Sequence, residues 1–376
     1  MSYKILHFSD LHLDTSFAGQ GFPVEYGNER RLGLRATLTS IFSKAREYRV
    51  DAVTIGGDLF AQKYLHPETV DFMQQQFALL DPIRVIIAPG IQDLYTNESV
   101  YAQFDWPKNV DIFHNNKLTC KELTPDIYLW GACNPPARGY KLLDDFQPQK
   151  GINILLLHAT KEISSNQVHT VDTDGLQKAG FRLTLLGGEH KSEISKTEIP
   201  LRVYPGSPEP LSPLEENGLH QVSLVEIDGE NIRVQFLTFQ QWHYQNIEVD
   251  LTSCISNVDA ALQIDEALVS ETAKMPHSAI TVFLNGKPHF DLDMSRLTQL
   301  IQTSAFFRLK SNLGLGYDIE QLASEQTVRG LVARRFQERI DNTENESERR
   351  LLLTAVQFAL QALEGKQVSL YETKAN

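Results

Sequence analysis

Cysteines are few in this sequence. The chain of 376 residues contains three, Cys120, Cys133 and Cys254, and their spacing matches no zinc-binding pattern. A low cysteine count is typical of proteins from a reducing compartment. We therefore expect buried thiols rather than disulfides. This predicts a cytoplasmic location.

Long apolar runs are also missing. No segment approaches the roughly 20 apolar residues of a membrane span. The opening residues, MSYKILHFSD, reach an aspartate too early for a signal peptide. We therefore expect no association with a membrane.

Basic charge is in deficit. The chain has 35 Lys and Arg against 48 Asp and Glu, a formal net charge of −13. This balance disfavours broad binding to nucleic acid, which normally leaves a basic footprint. Carboxylates gathered around metal ions produce the same balance, so bulk charge does not decide the question.

The overall composition, with 41% hydrophobic and 22% charged residues, is typical of a soluble globular protein. At about 100–200 residues per domain, the length predicts two or three units. Short β-rich runs alternate with helical patterns over the first two hundred residues. Strands are predicted at residues 3–8, 51–55, 84–88, 127–131, 152–157 and 183–186.

Two helices are predicted between these strands. Residues 29–48 carry apolar residues at helical spacing, and residues 66–80 form a second helical pattern behind Pro67. The apolar face of the first consists of Leu34, Leu38, Ile41, Phe42 and Ala45. This alternation of strands and helices predicts an α/β fold.

The alternation of strand and helix patterns ends near residue 204. A proline-rich loop, PGSPEPLSP, precedes two strands joined at Asp228-Gly229, a hairpin signal. We place a boundary near residues 240–245 and expect a small α/β unit after it. Its elements are a strand at 247–251, a helix at 257–274 and a strand at 278–284. Helices at 327–340 and 349–363, separated by the polar segment DNTENESE, complete the chain.

Polar residues follow the predicted strands. Asp10 and His12 come after the first strand, and Asp58 follows Gly56-Gly57 after the second. Side chains at the ends of neighbouring strands converge at one edge of a sheet. Carboxylates and imidazoles placed in this way suit divalent metal ions.

Two histidines complete this set. His158 ends a predicted strand, and His190 lies just past Gly187-Gly188. Each motif alone has a simpler interpretation: Asp-x-His is commonly a turn with a helix cap, and a histidine at a strand end is commonly hydrogen-bonded. Their occurrence together and in this order favours a metal centre.

The order of these motifs resembles the calcineurin-like metallophosphoesterase family. DLHLD, GGDLF and VYPGSPEPLS are similar to its SbcD-type DNA-repair exonuclease branch. The resemblance implies a four-layer αββα sandwich over residues 1–242. It also implies a small α/β capping domain over 243–322 and a C-terminal helix–loop–helix over 323–376.

Members of the family hold two metal ions, typically manganese, bridged by the aspartate of a G-D motif. Such paired ions stabilise the attacking and leaving oxygens of a phosphodiester displacement. The resemblance assigns one complete metal site, whose four ligands are Asp10, His12, Asp58 and His190.

The second site departs from the family pattern. Asp58 and His158 remain, but Ile91 stands at the asparagine of G-N-H-D and Gly188 at the first histidine of G-H-x-H. Ile91 offers no lone pair, and Gly188 offers only its backbone. We therefore expect one Mn²⁺, or another divalent ion, rather than two.

The general acid of the family is also replaced. Gln92 stands at the histidine of G-N-H-D, and Asp93 is the residue that would orient that histidine. An amide does not donate a proton as an acid at neutral pH, and losing acid catalysis costs about 10²–10⁴ in rate. We expect no retained catalytic group and weak or absent hydrolysis.

The C-terminal helices are either a packed helical hairpin or, as the resemblance implies, a docking element for a partner. In the family, such helices dock on the coiled coil of an SbcC-like, SMC-type ATPase. Basic residues beside the apolar faces suit an acidic coiled coil or a solvated surface. They are Arg334, Arg335, Arg339, Arg349 and Arg350.

The leading interpretation is a DNA-end-binding or scaffold subunit of an SbcC–SbcD-like complex, with a homodimer as the family expectation. The alternative is an active metal-dependent exonuclease or phosphodiesterase that recruits Gln92, Asp93 or Glu189 for the second ion. A small-molecule phosphatase fits less well, because it has no need of a docking hairpin.

Overall fold

The computed structural model divides the chain into two compact units. The first comprises Met1–Gln245 with Met275–Ala279, and the second comprises Asn246–Lys274 with Ile280–Asn376. The finer division expected from the sequence, with boundaries after residues 242 and 322, stays a prediction. The residues described are 2–133, 142–143, 146–160, 169–170, 173–195, 199–215, 219–288, 290, 292–312, 319–343 and 345–365.

Most of the described strands belong to the first unit, and the others lie mainly in the second. In chain order they are β1 (Tyr3–Phe8), β2 (Ala52–Ile55), β3 (Arg84–Ile87), β4 (Val110–Ile112), β5 (Thr119–Thr124), β6 (Ile127–Gly131), β7 (Ile152–Thr160), β8 (His169–Thr170), β9 (Phe181–Gly187), β10 (Glu193–Ser195), β11 (Leu201–Tyr204), β12 (Gln221–Asp228), β13 (Asn231–Thr238), β14 (His243–Asp250), β15 (Ser278–Asn285) and β16 (Phe306–Ser311).

Helices connect or follow these strands. They are α1 (Val24–Glu47), α2 (Pro67–Ala78), α3 (Val100–Gln103), α4 (Thr173–Lys178), α5 (Asn257–Lys274), α6 (Met294–Leu300), α7 (Ile319–Ser324), α8 (Val328–Asp341) and α9 (Glu346–Leu363), with short 3₁₀ helices at Gln62–Tyr64 and Pro213–Glu215.

Two sheets form the first unit. One has the order β13-β12-β1-β2-β3-β4, and the other has the order β10-β11-β9-β7-β6-β5 with β8 beside β7. The strands from β1 to β4 pair in parallel, and β12 adds to β1 in antiparallel register. The predicted hairpin at Asp228-Gly229 is confirmed, since Asp228 pairs with Asn231.

The sheets pack face to face over an apolar core. Ile5 and Ile86 from the first sheet join Leu156 and Leu185 from the second in this core. Helices cover the outer faces: Phe8 of β1 contacts Phe42 of α1 with ring centroids 6.3 Å apart. On the other side, Leu176 of α4 joins the core cluster on the outer face of the second sheet. This is the expected α/β sandwich of four layers.

Most predicted elements of the first unit are confirmed, with different ends. The helix α1 starts at Val24, five residues earlier than predicted. Its first turn contains an exposed Val24 and Gly27, so that turn lacks the apolar periodicity that reveals the rest. The strand β7 continues to Thr160, which places His158 inside the strand rather than at its end.

The expectation of buried thiols is correct for Cys133 and Cys254 and wrong for Cys120. Cys120 lies on β5, the edge strand of the second sheet, where alternate side chains face solvent.

The second unit contains a sheet of order β14-β15-β16. The helix α5 buries Ala260, Ala261, Ile264 and Leu268 in a core shared with β15 and α6. The predicted elements here are confirmed in type, and α6 and β16 are additional.

The C-terminal helices pack on one another. Leu322, Ala333, Val356 and Leu360 form their shared core. The side-chain oxygen of Asn345 accepts hydrogen bonds from the first turn of α9, which therefore starts three residues earlier than predicted, at Glu346. The last three residues of the polar segment 341–348 are thus helical.

Across the described residues, no helix is both long enough and apolar enough to cross a membrane.

Candidate metal centre

Asp10 and His12 occupy a strained turn after β1. Both have left-handed backbones, with φ of 54° and 51°, which non-glycine residues rarely adopt. The Asp10 amide donates to Gly57 O (3.0 Å), and the His12 amide donates to Asp58 O (2.9 Å). Leu11 between them is fully buried. The loops after β1 and β2 therefore run side by side, which brings their polar side chains together.

The turn at Asp58 depends on the glycines around it. Asp58 has φ of 50°, and Gly57 before it has φ of 89°. A Cβ added to Gly57 would lie 2.7 Å from Gly90 N and 2.7 Å from His158 Nδ1. No larger residue fits at this position, so the glycine lets three loops approach the same point.

Asp58 lies between two histidines. The Gln92 amide donates to its Oδ1 atom (2.7 Å). The other oxygen, Oδ2, is 3.7 Å from His12 Nε2 and 3.7 Å from His158 Nε2. One carboxylate oxygen facing two imidazoles is the geometry expected of a ligand that bridges two metal positions.

His158 projects from β7 with a defined tautomer. Its Nδ1 lies 2.9 Å from Gly56 O, and a carbonyl oxygen can only accept a hydrogen bond. Nδ1 therefore carries the proton in the neutral ring, and the lone pair on Nε2 faces the Asp58 carboxylate. This is the usual arrangement of a metal-binding histidine.

His190 follows β9 on a loop held by the proline-rich segment. Its ring centroid is 5.4 Å from that of His12. The Ser207 amide donates to His190 O (3.0 Å). Gly206 has φ of 78°, and a Cβ there would lie 2.7 Å from His190 O. Sequence reasoning identified PGS in this segment as a family motif but not as the support of His190.

The predicted ligands form two groups, and Asp10 belongs to both of them. Asp10, His12 and His190 make one group, and Asp10, Asp58 and His158 make the other; within each, the ligand atoms lie within 4.8 Å of one another. All five predicted residues are thus brought together. That they hold an ion stays a prediction.

The residues fit a divalent ion. Asp10 is 1% exposed; its Oδ2 accepts from the Gly188 amide (3.0 Å), and its Oδ1 has no hydrogen-bond partner among the described residues. A buried carboxylate oxygen without a donor is costly, and a cation in contact with it would remove the cost. Oxygen and imidazole donors together suit Mn²⁺ or Zn²⁺.

Burial and neighbouring charges change the pKa values of the carboxyl groups in the site. Burial raises the pKa of Asp58 to about 7; His158 opposes the rise, and the nearby Asp93 and Asp10 carboxylates add to it. For Asp10, burial also acts upward, but the imidazoles of His158, His190 and His12 outweigh it and lower its pKa. Carboxylates crowded in this way favour binding of a cation.

The pKa of His158 is raised. Burial acts downward on it, and the carboxylates of Asp58 and Asp10 more than compensate. Metal binding requires the neutral ring, so ion and proton compete for Nε2.

The substituted positions lie beside the second group. Ile91 is half-buried, and the Gln92 side chain is exposed. A Cβ added to Gly188 would lie 3.3 Å from His158 Nε2, so a side chain at this position would start next to the second group. Gly188 has φ of 100°, which disfavours any side chain there.

Asp93 has contacts that the sequence did not reveal. It is fully buried, and its carboxylate accepts hydrogen bonds from the amides of Asp58 (2.9 Å), Leu59 (2.9 Å) and Gly90 (2.6 Å) and from the Tyr101 hydroxyl (2.7 Å). Burial raises its pKa, and these donors oppose the rise. Asp93 therefore connects the Asp58 turn to the loop at Gly90.

The fold is a face-to-face α/β sandwich, and carboxylates and imidazoles lie together where its strands end. This is the architecture of a metal-binding phosphoesterase. The model of the family described as "Calcineurin-like phosphoesterase" matches residues 3–192. The chain belongs to this family, whose chemistry is phosphoester hydrolysis dependent on divalent metal ions.

One curated relative is the "Uncharacterized metallophosphoesterase YhaO" of Bacillus subtilis (strain 168). It is 26% identical over 288 residues, which cover 72% of this chain and 68% of the relative.

Solved structures show more distant similarity. The purple acid phosphatase PPD1 from yellow lupin (Lupinus luteus) seeds is 12% identical, covering 64% of this chain and 52% of that chain with a TM-score of 0.39. The protein TT1561 of Thermus thermophilus is 14% identical, covering 63% of this chain and 99% of that chain with a TM-score of 0.38. Scores at this level carry no argument about function.

Proposed function

We propose that this chain is an SbcD-like, DNA-end-binding or scaffold subunit of a cytoplasmic DNA-repair complex, with one divalent ion and weak or no hydrolysis. The observation that supports it is the lack of donor side chains at two positions of the second site, Ile91 and Gly188, the latter next to His158. If Asp10 and Asp58 bind the first ion, His158 is the one remaining side chain of the second ligand group, which is too few for tight binding of a second ion.

The retained ion would be held by Asp10, His12, Asp58 and His190. When bound, it supplies Lewis-acid polarisation of a phosphoryl oxygen. The chain's own residues orient these ligands. The backbone N–H of Gln92 donates a hydrogen bond to Asp58 Oδ1, and the backbone N–H of Gly188 donates one to Asp10 Oδ2. These two contacts leave the opposite carboxylate oxygens directed at the site.

Proton donation is the missing step. The Gln92 side chain can donate a hydrogen bond to a phosphate oxygen, but it has no proton to transfer to a leaving alkoxide at neutral pH. A DNA end would therefore be bound and oriented without rapid cleavage.

A second candidate is an active two-ion phosphodiesterase. It is favoured by the second ligand group, because the ligand atoms of Asp10, Asp58 and His158 lie within 4.8 Å of one another. The four donors that occupy Asp93 argue against its recruitment as an extra ligand. Glu189, Gln92 or water would have to complete the coordination.

Anomalous scattering from crystals soaked in a series of Mn²⁺ concentrations separates the two candidates. One peak, at Asp10, His12, Asp58 and His190, is expected. Two full peaks at the same concentration would contradict our proposal.

Nuclease assays on linear duplex and single-stranded DNA with Mn²⁺ provide the functional comparison. We expect turnover at the level of the Asp58→Ala variant, both with and without the ATPase partner. Strong cleavage that Asp58→Ala abolishes would favour the active enzyme.

We also propose that α8 and α9 dock on the coiled coil of an SbcC-like, SMC-type ATPase. Val328 and Leu331 of α8 are 68% and 53% exposed, so apolar surface is available outside the helical core. The basic side chains contribute less, because Arg334 donates to the carbonyls of Ala323 and Glu325 and Arg335 pairs with Glu338. The side chain of Arg350 lies outside the described residues.

Co-purification with an SbcC-like, SMC-type ATPase tests the docking. Leu331→Glu is expected to abolish the complex. Leu79→Glu is the matched control and should retain the complex, because Leu79, just after α2, is also largely exposed (62%). A complex unaffected by Leu331→Glu would contradict docking through α8.

A further inference from the structure

His7 is a buried polar residue in the apolar layer between the two sheets. It is fully buried on β1, two residues after Ile5, which belongs to the inter-sheet core. Side chains two residues apart on a strand share a face, so His7 points towards the second sheet. An imidazole in such a layer is costly unless both of its nitrogens find partners.

Both nitrogens of His7 do find partners, and on different sheets. Nδ1 lies 3.1 Å from Thr54 Oγ1 on β2, the neighbouring strand in its own sheet. Nε2 lies 3.2 Å from Leu186 O on β9, in the opposite sheet. The carbonyl only accepts, so Nε2 carries the proton and the Thr54 hydroxyl donates to Nδ1. His7 thus links the two sheets through a single tautomer.

This link lies where the two sheets approach each other closely, at Gly56 and Gly187. A Cβ added to Gly187 would be 2.1 Å from Gly56 O, and one added to Gly56 would be 3.2 Å from His7 Cε1. Gly56 leads into the Asp58 turn, and Gly187 leads into the His190 loop. The separation of the sheets at this level therefore determines the distances among the candidate metal ligands.

Ligands from both sheets make up each group at the candidate centre. Asp10 and Asp58 follow strands of the first sheet, whereas His158 and His190 belong to the second. We propose that His7 is a positioning residue that sets the spacing of the two sheets for metal binding. The proposal rests on the metal site of the proposed function, and it assigns His7 no contact with the ion.

Three variants test this role. His7→Leu removes both hydrogen bonds at similar volume, and His7→Gln keeps one donor and one acceptor on one side chain. Ile5→Val, on the same strand and face, is the control for loss of packing alone. If His7→Leu does not fold, Thr54→Val, which removes only the donor to Nδ1, takes its place.

The first measurement is the Mn²⁺ dissociation constant by isothermal titration calorimetry. His7→Leu is expected to raise it about 10-fold or more, as is typical when support of metal ligands is lost. His7→Gln should recover most of the affinity, and Ile5→Val should leave it within about twofold. Equal affinity of His7→Leu and wild type would overturn the proposal.

The second measurement is the Asp10–Gly187 Cα separation in metal-free crystals, which is independent of binding. We expect it to change in His7→Leu and to be preserved in His7→Gln and Ile5→Val. An unchanged separation in His7→Leu would also overturn the role of His7. A wild-type chain that binds no Mn²⁺ would instead overturn the proposed function, while this separation still tests His7.

Discussion

At the scale of single residues, the candidate site combines an unfavourable backbone conformation with buried side chains at Asp10, His12 and Asp58. Asp10, His12 and Asp58 all have positive φ, a conformation that costs about 1–3 kcal/mol for each non-glycine residue. The amide-to-carbonyl bonds between their two loops hold this conformation in place. Strain concentrated at these three positions, and supported by neighbouring loops, is characteristic of a functional site.

Asp93→Asn tests the support of the Asp58 turn. The substitution replaces one acceptor oxygen with an NH₂ group that faces amide donors, leaving buried N–H groups without partners. We expect a loss of about 1–3 kcal/mol in the free energy of unfolding, measured in urea. Asp71→Asn, at an exposed position on α2, should change it by less than about 0.5 kcal/mol. Equal effects would show that Asp93 is not a structural anchor.

His7 predicts a dependence of stability on pH. Burial lowers its pKa from 6.5 to about 4, so between these values the unfolded chain binds a proton that the folded chain does not. Its contribution to stability is therefore present above pH 6.5 and is lost as the pH falls towards 4. The loss is about 3 kcal/mol.

The measurement is urea unfolding of wild type and His7→Gln at several pH values from 7 down to 4. Wild type should lose stability more steeply across this window, because glutamine does not titrate. Parallel curves for the two proteins would contradict a buried, neutral His7.

At the scale of elements, the site exists because two sheets end at the same place. β1 and β2 from one sheet and β7 and β9 from the other deliver their polar residues to one edge. The approach of Gly56 and Gly187 leaves no room for a side chain between the strands. Glycine at these two positions is therefore required by packing.

Gly187→Ala is expected to separate the strand ends. Its Cβ would lie 2.1 Å from a backbone carbonyl oxygen, and backbone cannot move aside as a flexible side chain can. We expect a loss of about 1–3 kcal/mol in unfolding free energy and weaker Mn²⁺ binding. Gly27→Ala, in the helix α1, would meet the flexible Arg31 side chain at 3.4 Å and Phe17 Cβ at 3.9 Å, so it should be neutral or stabilising. A neutral Gly187→Ala would contradict the close approach.

At the scale of the whole molecule, acidic charge and metal binding are connected. The net charge of −13 includes buried carboxylates at the site, which repel one another without a cation. An ion that binds only the folded chain stabilises it as a whole. The acidic balance is therefore compatible with binding of a divalent ion at the site.

Mn²⁺ is expected to raise the free energy of unfolding by about 2.7 kcal/mol at 100 times its dissociation constant. His12→Ala should remove this stabilisation, and His114→Ala, an exposed histidine outside the site, should retain it. Thermal or urea unfolding with EDTA and with Mn²⁺ provides the measurement. Equal stabilisation of the His12→Ala variant would show that the ion binds elsewhere.

Much of the fold was predictable because its signals are local. Leu34, Leu38 and Ile41 reveal α1 by spacing alone, and all three are buried. Short strands such as β10 and β11 were missed, because three or four residues carry too little periodicity and depend on neighbouring strands. The exposed Cys120 was missed for the same reason, since its exposure follows from the edge position of β5.

The candidate site divides in the same way. Asp10, His12 and Asp58 stand in recognisable motifs, so their types and order were readable. The hydrogen bonds of Asp93 reach the amides of Asp58 and Leu59, 35 and 34 residues earlier in the chain, and no local pattern encodes them. The role of Ser207 beside His190 likewise arises only when two loops meet.

The sequence by itself determined which donors each loop carries, and which it lacks at Ile91, Gln92 and Gly188, because side-chain chemistry is a property of residue type. Only the tertiary structure decided which donors share a position, since distances between loops are set by the packing of two sheets. His7 shows the difference: its identity is local, but its bonds to Thr54 and Leu186 span 47 and 179 residues of chain.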